Sequence, residues 1–332
     1  MKFINAIVLS FIIVLTFSCK DTSQENESAT KIPVIFDTDA NNELDDQHAM
    51  AYLLFNQDIF DIKGITVNAT YNGGGIDEHY AEAERVLKLC VPKQDLPLLK
   101  GAEGKFLELK DQATSDNFDG SEAVNFIIEE ANKHTDDKLV VLAVGKLTNV
   151  ATAIVKDPNI VSKIKLVWLG SNIPNIGEYN LENDVEAMNY LLSNEVEFEI
   201  VVCRYGEPSG TDAVRVTPEQ INEKMPKTGP KAKSEVSGRH GGTFTYFGDY
   251  SVNLFEHAEM HGNPPSRALF DMAAVAVLKD LTWAERIRIG APIMINGEWL
   301  PIDDNPRKII IWQNFNKEMI INDFFNTMTN AN

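Results

Sequence analysis

The sequence predicts an α/β fold: an open, mostly parallel sheet with helices on both faces. Two observations point to this class. From Ile32 onward, short apolar runs rich in Val and Ile alternate with stretches of helical periodicity. These runs are continuous, as expected for strands that are buried on both faces of a sheet. With 332 residues, 44% of them hydrophobic, the chain is long enough to bury the core that such a sheet needs.

The individual elements follow from this alternation. Five continuous apolar runs are the predicted strands: Pro33–Asp37, Ile62–Asn68, Leu139–Val144, Lys165–Leu169 and Glu197–Cys203. Five stretches of helical periodicity are the predicted helices: Gln47–Phe55, Glu78–Leu89, Glu122–His134, Thr148–Lys156 and Val185–Ser193. In such folds the functional residues lie in loops after the carboxyl ends of the strands, so candidate site residues are sought there.

The last fifty residues differ from this pattern. They predict a small C-terminal extension, with strands around the turn Asn296-Gly297 and a short final helix near Phe324–Met328. No Pro/Gly-rich linker divides residues 32–332, so we predict a single domain over this range.

Residues 1–19 have the features of a bacterial export signal. A basic residue precedes an apolar run that is short for a membrane span, and small Ser18 stands before Cys19. This arrangement resembles a lipobox, so we predict a lipid anchor at Cys19, followed by a flexible tether over residues 20–31. The expected location is the periplasm or the outer membrane of a bacterium. A plain secretory signal, in which Cys19 is incidental, is the alternative.

The composition excludes some classes of function. Thirty basic against 49 acidic residues give a formal charge of −19 and a pI near 4.7. Such a surface repels phosphate backbones, so nucleic acid is not an expected partner. Beyond the signal, the only cysteines are Cys90 and Cys203, which lie in apolar runs and are predicted core residues rather than a disulfide.

An acidic loop follows the first predicted strand. Asp37, Asp39, Asp45 and Asp46 fall within ten residues of one another. Four carboxylates at one strand end repel each other unless a cation neutralises them, and their hard oxygens favour Ca²⁺ or Mg²⁺ over Zn²⁺. The alternative is a solvated acidic turn in which Asp45 or Asp46 caps the next helix.

A phosphatase is a second interpretation of this loop. The segment FDTDAN also looks like the start of a haloacid-dehalogenase-type phosphatase, with Asp37 as nucleophile and Asp39 as acid and base. Such an enzyme needs a downstream lysine and a second acidic motif, for which Lys146 and Asp184 are the candidates.

The acidic loop resembles, more closely, the aspartate-rich signature of the nucleoside hydrolases, which cleave the N-glycosidic bond of ribonucleosides with a bound Ca²⁺. Three further segments resemble motifs of the same family: VLAVGKLTNVATAI (141–154), LGSNIPNIGEYNLENDVEA (169–187) and RALFDMAAVAV (267–277). The motifs occur in the family's order, and the resemblance extends from about Pro33 to the end. It implies Ca²⁺ as cofactor and a small-molecule ribonucleoside as substrate. The family is commonly oligomeric, which leaves a homo-oligomer open.

The resemblance also implies roles for individual residues. Asp39 corresponds to the catalytic base that touches calcium, and Asp37 to a supporting carboxylate. The implied metal ligands are Asp39, Asp46, Asp271 and the main-chain carbonyl of Val144. The implied substrate-binding residues are Asp45, Asn72, Asn172, Glu178, Asn180 and Phe270.

This chain departs from the family's pattern at three places. Five residues (ANNEL) separate Asp39 from Asp45, two more than usual, so Asn41, Asn42 or Glu43 is expected to enter the site. The loop before Glu178 is shorter than usual, and Asn172 or Asn175 must supply its sugar-binding asparagine. Phe270 replaces the His that protonates the leaving base in purine-cleaving members.

The replacement by Phe270 leaves two questions about function. Another residue has to supply the acid, or the leaving group needs none; the candidate acids are His79, His240, Tyr246, His257 and His261. The Gly-rich start of the 238–263 stretch suggests a lid. A protein that binds ribose or nucleosides without turning them over is the alternative to an enzyme.

Overall fold

The computed structural model describes residues 30–134, 137–300 and 305–331. The predicted signal over residues 1–19, with Cys19, and all but the end of the predicted tether lie outside these residues. Within the described ranges, no helix combines the length and the apolar character that crossing a membrane requires.

The strands and helices alternate along most of the chain. The strands are β1 (Ile32–Thr38), β2 (Phe60–Val67), β3 (Leu98–Lys100), β4 (Leu139–Ala143), β5 (Ile164–Leu169), β6 (Glu197–Val201), β7 (Arg215–Val216), β8 (Val236–Ser237), β9 (Thr243–Phe244), β10 (Arg267–Ala268), β11 (Glu285–Gly290), β12 (Ile293–Ile295), β13 (Glu298–Leu300) and β14 (Lys308–Gln313). The α-helices are α1 (Asp45–Phe55), α2 (Ile76–Cys90), α3 (Phe106–Leu109), α4 (Ser121–Lys133), α5 (Thr148–Lys156), α6 (Tyr179–Asn183), α7 (Val185–Leu192), α8 (Pro218–Lys224), α9 (Phe247–Glu256), α10 (Phe270–Lys279) and α11 (Lys317–Asn330).

Eight strands form the central sheet, in the order β11-β14-β6-β5-β4-β1-β2-β3. All neighbours pair in parallel except β11 and β14, which are antiparallel. The predicted open, mostly parallel α/β fold is therefore confirmed. The chain runs outward from β1 to β3 and then returns to β4 on the other side of β1. This reversal makes the crevice at the carboxyl ends of β1 and β4 the expected ligand site.

The burial of the central strands and helices accounts for their apolar sequences. Val34, Ile35 and Phe36 in β1 are completely buried, because β1 lies in the middle of the sheet with helices on both sides. Helix α10 is buried over most of its length and packs against α1. Both helices begin at the same edge of the sheet, so their first turns approach each other there.

The C-terminal segment differs from the prediction. Strands β11 and β14 complete the central sheet rather than forming a separate extension, and α11 is longer than expected. The turn at Asn296-Gly297 is confirmed: it joins β12 to β13, and both residues have the positive φ (53° and 78°) that such a two-residue turn requires. Neither β3 nor the helices α3, α6, α8 and α9 were predicted.

Candidate functional site

The predicted acidic residues converge at the switch point of the sheet. Asp39 follows β1, Asp45 and Asp46 form the first turn of α1, and Asp271 lies in the first turn of α10. All four carboxylates are buried and line a cavity of about 800 Å³. Leu44 and Leu269 occupy the cap positions of the two helices, without side-chain capping bonds. Capping therefore does not account for the aspartates.

Three of these aspartates are close enough to share one ion. Asp45, Asp46 and Asp271 each offer an oxygen atom within 4.8 Å of the others. Burial is the main cause that raises the pKa of Asp45 to about 8, and it raises the pKa values of Asp46 and Asp271 as well. Three ionised carboxylates in such a place repel each other, so a cation bound among them would be stabilising. The donors are all hard oxygens, which fit Ca²⁺ or Mg²⁺.

Asp39 lies beside this triplet. Its Oδ2 accepts a hydrogen bond from Thr70 Oγ1 at 2.5 Å, whereas its buried Oδ1 has no partner among the described residues. Burial raises the pKa of Asp39 to about 7, and the charge of Asp45 adds to the shift. A buried carboxylate oxygen without a hydrogen-bond donor destabilises the fold. An ion or a water molecule bound at Oδ1 would therefore be stabilising.

Asp37 supports the strand end rather than facing the cavity. Its carboxylate accepts bonds from Thr66 Oγ1 at 2.6 Å, Asn149 Nδ2 at 2.7 Å and Asn68 Nδ2 at 3.1 Å. Burial still raises its pKa to about 6. Asp37 does not line the cavity. It holds β1, β2 and α5 together next to Asp39, as a supporting carboxylate would.

Two of the predicted sugar-binding residues, Glu178 and Asn180, line the cavity. Glu178 caps α6, and its carboxylate accepts bonds from three backbone N–H groups, those of Ser171, Asn180 and Leu181. Asn180 Nδ2 donates to the carbonyl of Val144 at 2.7 Å. Val144 also lines the cavity, and its carbonyl keeps a second lone pair for a ligand.

Asn72 and Asn172 do not reach the cavity wall. Asn72 is exposed, and only its backbone makes bonds, to Tyr179 and His79. Asn172 is buried, with Nδ2 bonded to the carbonyl of Ile176 and Oδ1 accepting from the N–H of Tyr205. Both side chains therefore organise loops in this structure, and we leave them out of the proposed substrate contacts.

Aromatic rings form the outer part of the cavity. Phe270 lies edge-to-face with Tyr205, with 5.5 Å between the ring centroids. Tyr71 and Tyr179 form a second pair at 4.5 Å, and the hydroxyl of Tyr179 donates to Thr70. Tyr71 and Tyr205 are 64% and 44% exposed, so these rings border the opening.

Only one of the predicted candidate acids, His261, lines this cavity. Its Nε2 accepts a bond from Arg267 at 3.1 Å. His240 and His257 stack on each other beside a smaller, adjoining cavity, and Tyr246 precedes α9 outside both. His79 is buried and bonds to the backbone at Asp39 and Asn72, and burial lowers its pKa.

The longer loop after Asp39 enters the site, as expected. Asn42 and Glu43 line the cavity, and Glu43 forms an ion pair with Arg267. Sequence reasoning missed Arg267, Thr70 and the three tyrosines of the cavity wall. Arg267 lies in the two-residue strand β10 and Tyr179 begins the short helix α6, whereas the others lie in loops. None of these segments is long enough for a periodic pattern, and only the position of Thr70 and Tyr71 after β2 offered a signal.

The residues required for a phosphatase are used elsewhere. Lys146 Nζ donates to the carbonyls of Glu103 and Gly104 at 2.6 and 2.7 Å. Asp184 caps α7 and accepts a bond from Thr148. Neither side chain lines the cavity, so the described structure offers no support for this alternative.

The fold and the cavity define a class: an open α/β protein with a cluster of buried carboxylates at the switch point of its sheet. The model of the family described as inosine-uridine preferring nucleoside hydrolase matches residues 34–316, and the chain belongs to this family.

Individual relatives agree with this assignment. A non-specific ribonucleoside hydrolase RihC from Klebsiella pneumoniae is 27% identical over 195 residues, which cover 52% of this chain and 61% of the relative. The match thus spans about three fifths of that relative's length.

Solved structures show the same fold at low sequence identity. A plant nucleoside hydrolase, PpNRh1, superposes with a TM-score of 0.68 at 17% identity, over 91% of this chain and 100% of that one. A purine-preferring ribonucleoside hydrolase from Gardnerella vaginalis gives 0.67 at 18%, over 90% and 98%. An inosine-uridine preferring nucleoside hydrolase from Bacillus anthracis gives 0.65 at 16%, over 90% and 99%.

Proposed function

We propose that this protein is an N-glycosidase that hydrolyses ribonucleosides with the help of a bound Ca²⁺. One observation carries the proposal: Asp39 places an unpartnered carboxylate oxygen beside the triplet Asp45, Asp46 and Asp271, in a cavity that also contains Glu178. The family match and the names of the relatives support the same activity.

In this proposal Asp39 is the general base. It takes a proton from the attacking water, while Thr70 holds its other oxygen and so fixes the direction of the carboxylate. The surrounding carboxylates stabilise the positive charge that develops on the sugar as the glycosidic bond breaks. Bound calcium would hold the oxygen atoms of the sugar hydroxyls and would make the attacking water more acidic.

The remaining side chains bind and orient the substrate. Asp45 is proposed to accept a bond from a ribose hydroxyl, and Asp46, Asp271 and the carbonyl of Val144 to hold the calcium with Asp39. Glu178 and Asn180 are proposed to bind the sugar from the other wall of the cavity. The ring of Phe270 offers an apolar face to the base.

The test is release of free ribose from inosine, uridine, adenosine, cytidine and guanosine, with and without a calcium chelator. Asp39→Asn should lower the rate by about 10² to 10⁴, the usual contribution of a general base. Asp61→Asn, which alters a surface ion pair with Lys63, is the matched control and should keep the wild-type rate.

Each outcome decides between the candidates. Chelator-sensitive ribose release that depends on Asp39 establishes the hydrolase. Nucleoside binding without ribose release contradicts it and favours the binding protein. Release of phosphate from a phosphomonoester would favour the alternative that the protein is a phosphatase.

We also propose export with a lipid anchor at Cys19, on the basis of the sequence of residues 1–19 alone. Metabolic labelling with a radioactive fatty acid should modify the wild-type chain and not Cys19→Ser. Equal labelling of both would contradict the anchor. Assembly into a homo-oligomer stays a prediction of the family resemblance.

A further inference from the structure

The cavity has few groups that can protonate a leaving base. Phe270 has no proton to give, and Tyr179 already donates its hydroxyl hydrogen to Thr70. Desolvation raises the pKa values of Tyr71 and Tyr205 above the ordinary value of tyrosine, so their hydroxyls are weak acids. At His261, Nε2 accepts a hydrogen bond from Arg267, so the ring is neutral there and its one N–H hydrogen is on Nδ1. A neutral nucleobase that leaves without a proton departs as an anion, or needs a proton from the solvent.

The charge of the cavity disfavours an anion. Both of its arginines are paired with acids, Arg267 with Glu43 and Arg215 with Asp212 at 2.6 Å. The lining carboxylates that have no basic partner among the described residues are Asp39, Asp45, Asp46, Asp271, Glu178 and Glu182. A bound divalent cation favours the ionised form of the carboxylates around it and balances only part of their charge. With such a cation in place, the cavity keeps an excess of negative charge that stabilises a positive ligand.

The aromatic rings are suited to such a ligand. Phe270, Tyr205, Tyr179 and Tyr71 all line the cavity, in two closely packed pairs. The faces of aromatic rings attract cations, and flat heterocycles stack on them. A planar aromatic cation thus finds both an attractive field and a stacking surface here.

We propose that the preferred substrates are N-ribosides of a pyridinium ring, in which the ribosidic nitrogen already carries the positive charge. This inference rests on the proposed hydrolase function and names its substrate class. The carbon–nitrogen bond breaks, and its electron pair returns to the ring nitrogen, which leaves as neutral pyridine. Water adds to the sugar carbon, and Asp39 takes the proton of that water. No acid is needed on the leaving group.

The test compares kcat/KM for nicotinamide N-riboside with kcat/KM for inosine and uridine, by chromatography of the released base. We expect the pyridinium riboside to be preferred by at least about tenfold, equivalent to about 1.4 kcal/mol. As a readout independent of turnover, the cation 1-methylnicotinamide should inhibit at lower concentration than neutral nicotinamide.

Two substitutions at Phe270 sharpen the comparison. Phe270→His restores an acid and should raise kcat/KM for inosine relative to the pyridinium riboside by about tenfold or more. Phe270→Leu removes the ring without adding an acid. It should raise KM for the pyridinium riboside without raising kcat/KM for inosine. If the histidine variant does not fold, the leucine variant still tests the role of the ring.

The outcomes separate this inference from the proposed function. Equal or better cleavage of inosine or uridine overturns the inference and leaves the hydrolase intact. Equal inhibition by 1-methylnicotinamide and nicotinamide also overturns it. No cleavage of any riboside overturns the hydrolase itself and, with it, the substrate class.

Discussion

The backbone at Gly145 passes unusually close to the proposed general base. A Cβ atom at this position would lie 2.8 Å from Asp39 Oδ1 and equally close to Asn68 Oδ1. Both oxygens are buried and have no hydrogen-bond partner among the described residues. The glycine after β4 therefore lets the Asp39 carboxylate occupy its place.

Gly145→Ala should displace the Asp39 carboxylate. We expect kcat/KM for ribose release to fall by about 10² for a displacement of about 1 Å. Gly75→Ala is the matched control, because its added Cβ meets only ordinary contacts at 3.4 Å from Glu103, and it should stay within about twofold of wild type. Wild-type kinetics in Gly145→Ala would show that this close approach does not position the base.

His48 should make the stability depend on pH. Its Nδ1 bonds to the carbonyl of Leu44 at 2.6 Å and its Nε2 to Ser251 at 2.7 Å, inside a cluster that includes Phe247 and Phe255. Burial lowers the pKa of His48 from its ordinary value of 6.5 to about 4. Between pH 4 and pH 6.5, His48 is therefore protonated in the unfolded chain but not in the folded chain.

Comparison with His48→Gln isolates this contribution. As pH falls from 7 to 4.5, the wild type should lose about 2–3 kcal/mol relative to the variant, since one pKa unit corresponds to about 1.4 kcal/mol. Urea unfolding of both proteins across this range measures the difference. A difference that is constant with pH would mean that His48 has the same pKa in the folded and the unfolded chain.

At the scale of elements, Glu199 connects four strands of the sheet. It lies in β6 and is fully buried, and its carboxylate meets Lys165 of β5 at 2.9 Å, Arg286 of β11 at 2.6 Å and Trp312 of β14 at 2.6 Å. A single buried carboxylate thus fixes the edge at which the parallel sheet meets its antiparallel strand.

Glu199→Ala should destabilise this edge. Removing one partner of a buried pair costs about 3–5 kcal/mol, and the partial exposure of Lys165 and Arg286 lowers our expectation to about 2 kcal/mol. Urea unfolding measures the change. Glu197→Ala, two residues away and in an exposed pair with Lys138, should cost less than about 0.5 kcal/mol. Equal effects of the two substitutions would contradict a special role for Glu199.

The elements differ in how far the sequence could predict them. Strands such as β1 and β4 and helices such as α5 have strong local patterns, and their positions agree within one or two residues. Strand β3 has three residues, too few for a pattern. The place of β14 beside β6 follows from a pairing more than a hundred residues apart, and no local periodicity encodes such a pairing.

The same distinction applies to the candidate site. Asp39, Asp45 and Asp46 are neighbours in sequence, so their spacing alone indicated a cation site. Asp271 was reached only through the family resemblance, because its approach to Asp46 depends on α10 packing against α1. Asn172 could not be judged from sequence, since the direction of its side chain is set by the loop at Tyr205.

At the scale of the whole molecule, the carboxylate triplet joins distant parts of the chain. Asp46 begins α1 near the start of the fold, and Asp271 begins α10 more than two hundred residues later. When both are ionised, their mutual repulsion opposes the packing of the two helices. A bound calcium would turn that repulsion into a link between them, so its binding should stabilise the entire fold.

Calcium should therefore raise the unfolding temperature. At a free concentration about 100 times its Kd, the stabilisation is about 2.7 kcal/mol, and a chelator should remove it. Asp46→Asn should abolish the calcium-dependent part of the stabilisation, whereas Asp61→Asn on the surface should retain it.

The stabilisation by calcium should also depend on pH. Because burial raises the pKa of Asp45 to about 8, protons compete with the ion, and the stabilisation should shrink as pH falls below that value. Calorimetry in calcium and in chelator, at pH 8 and pH 6, checks each point. An unfolding temperature that does not change with calcium at either pH would show that these carboxylates bind no such ion. The proposed mechanism would then have to proceed without a metal.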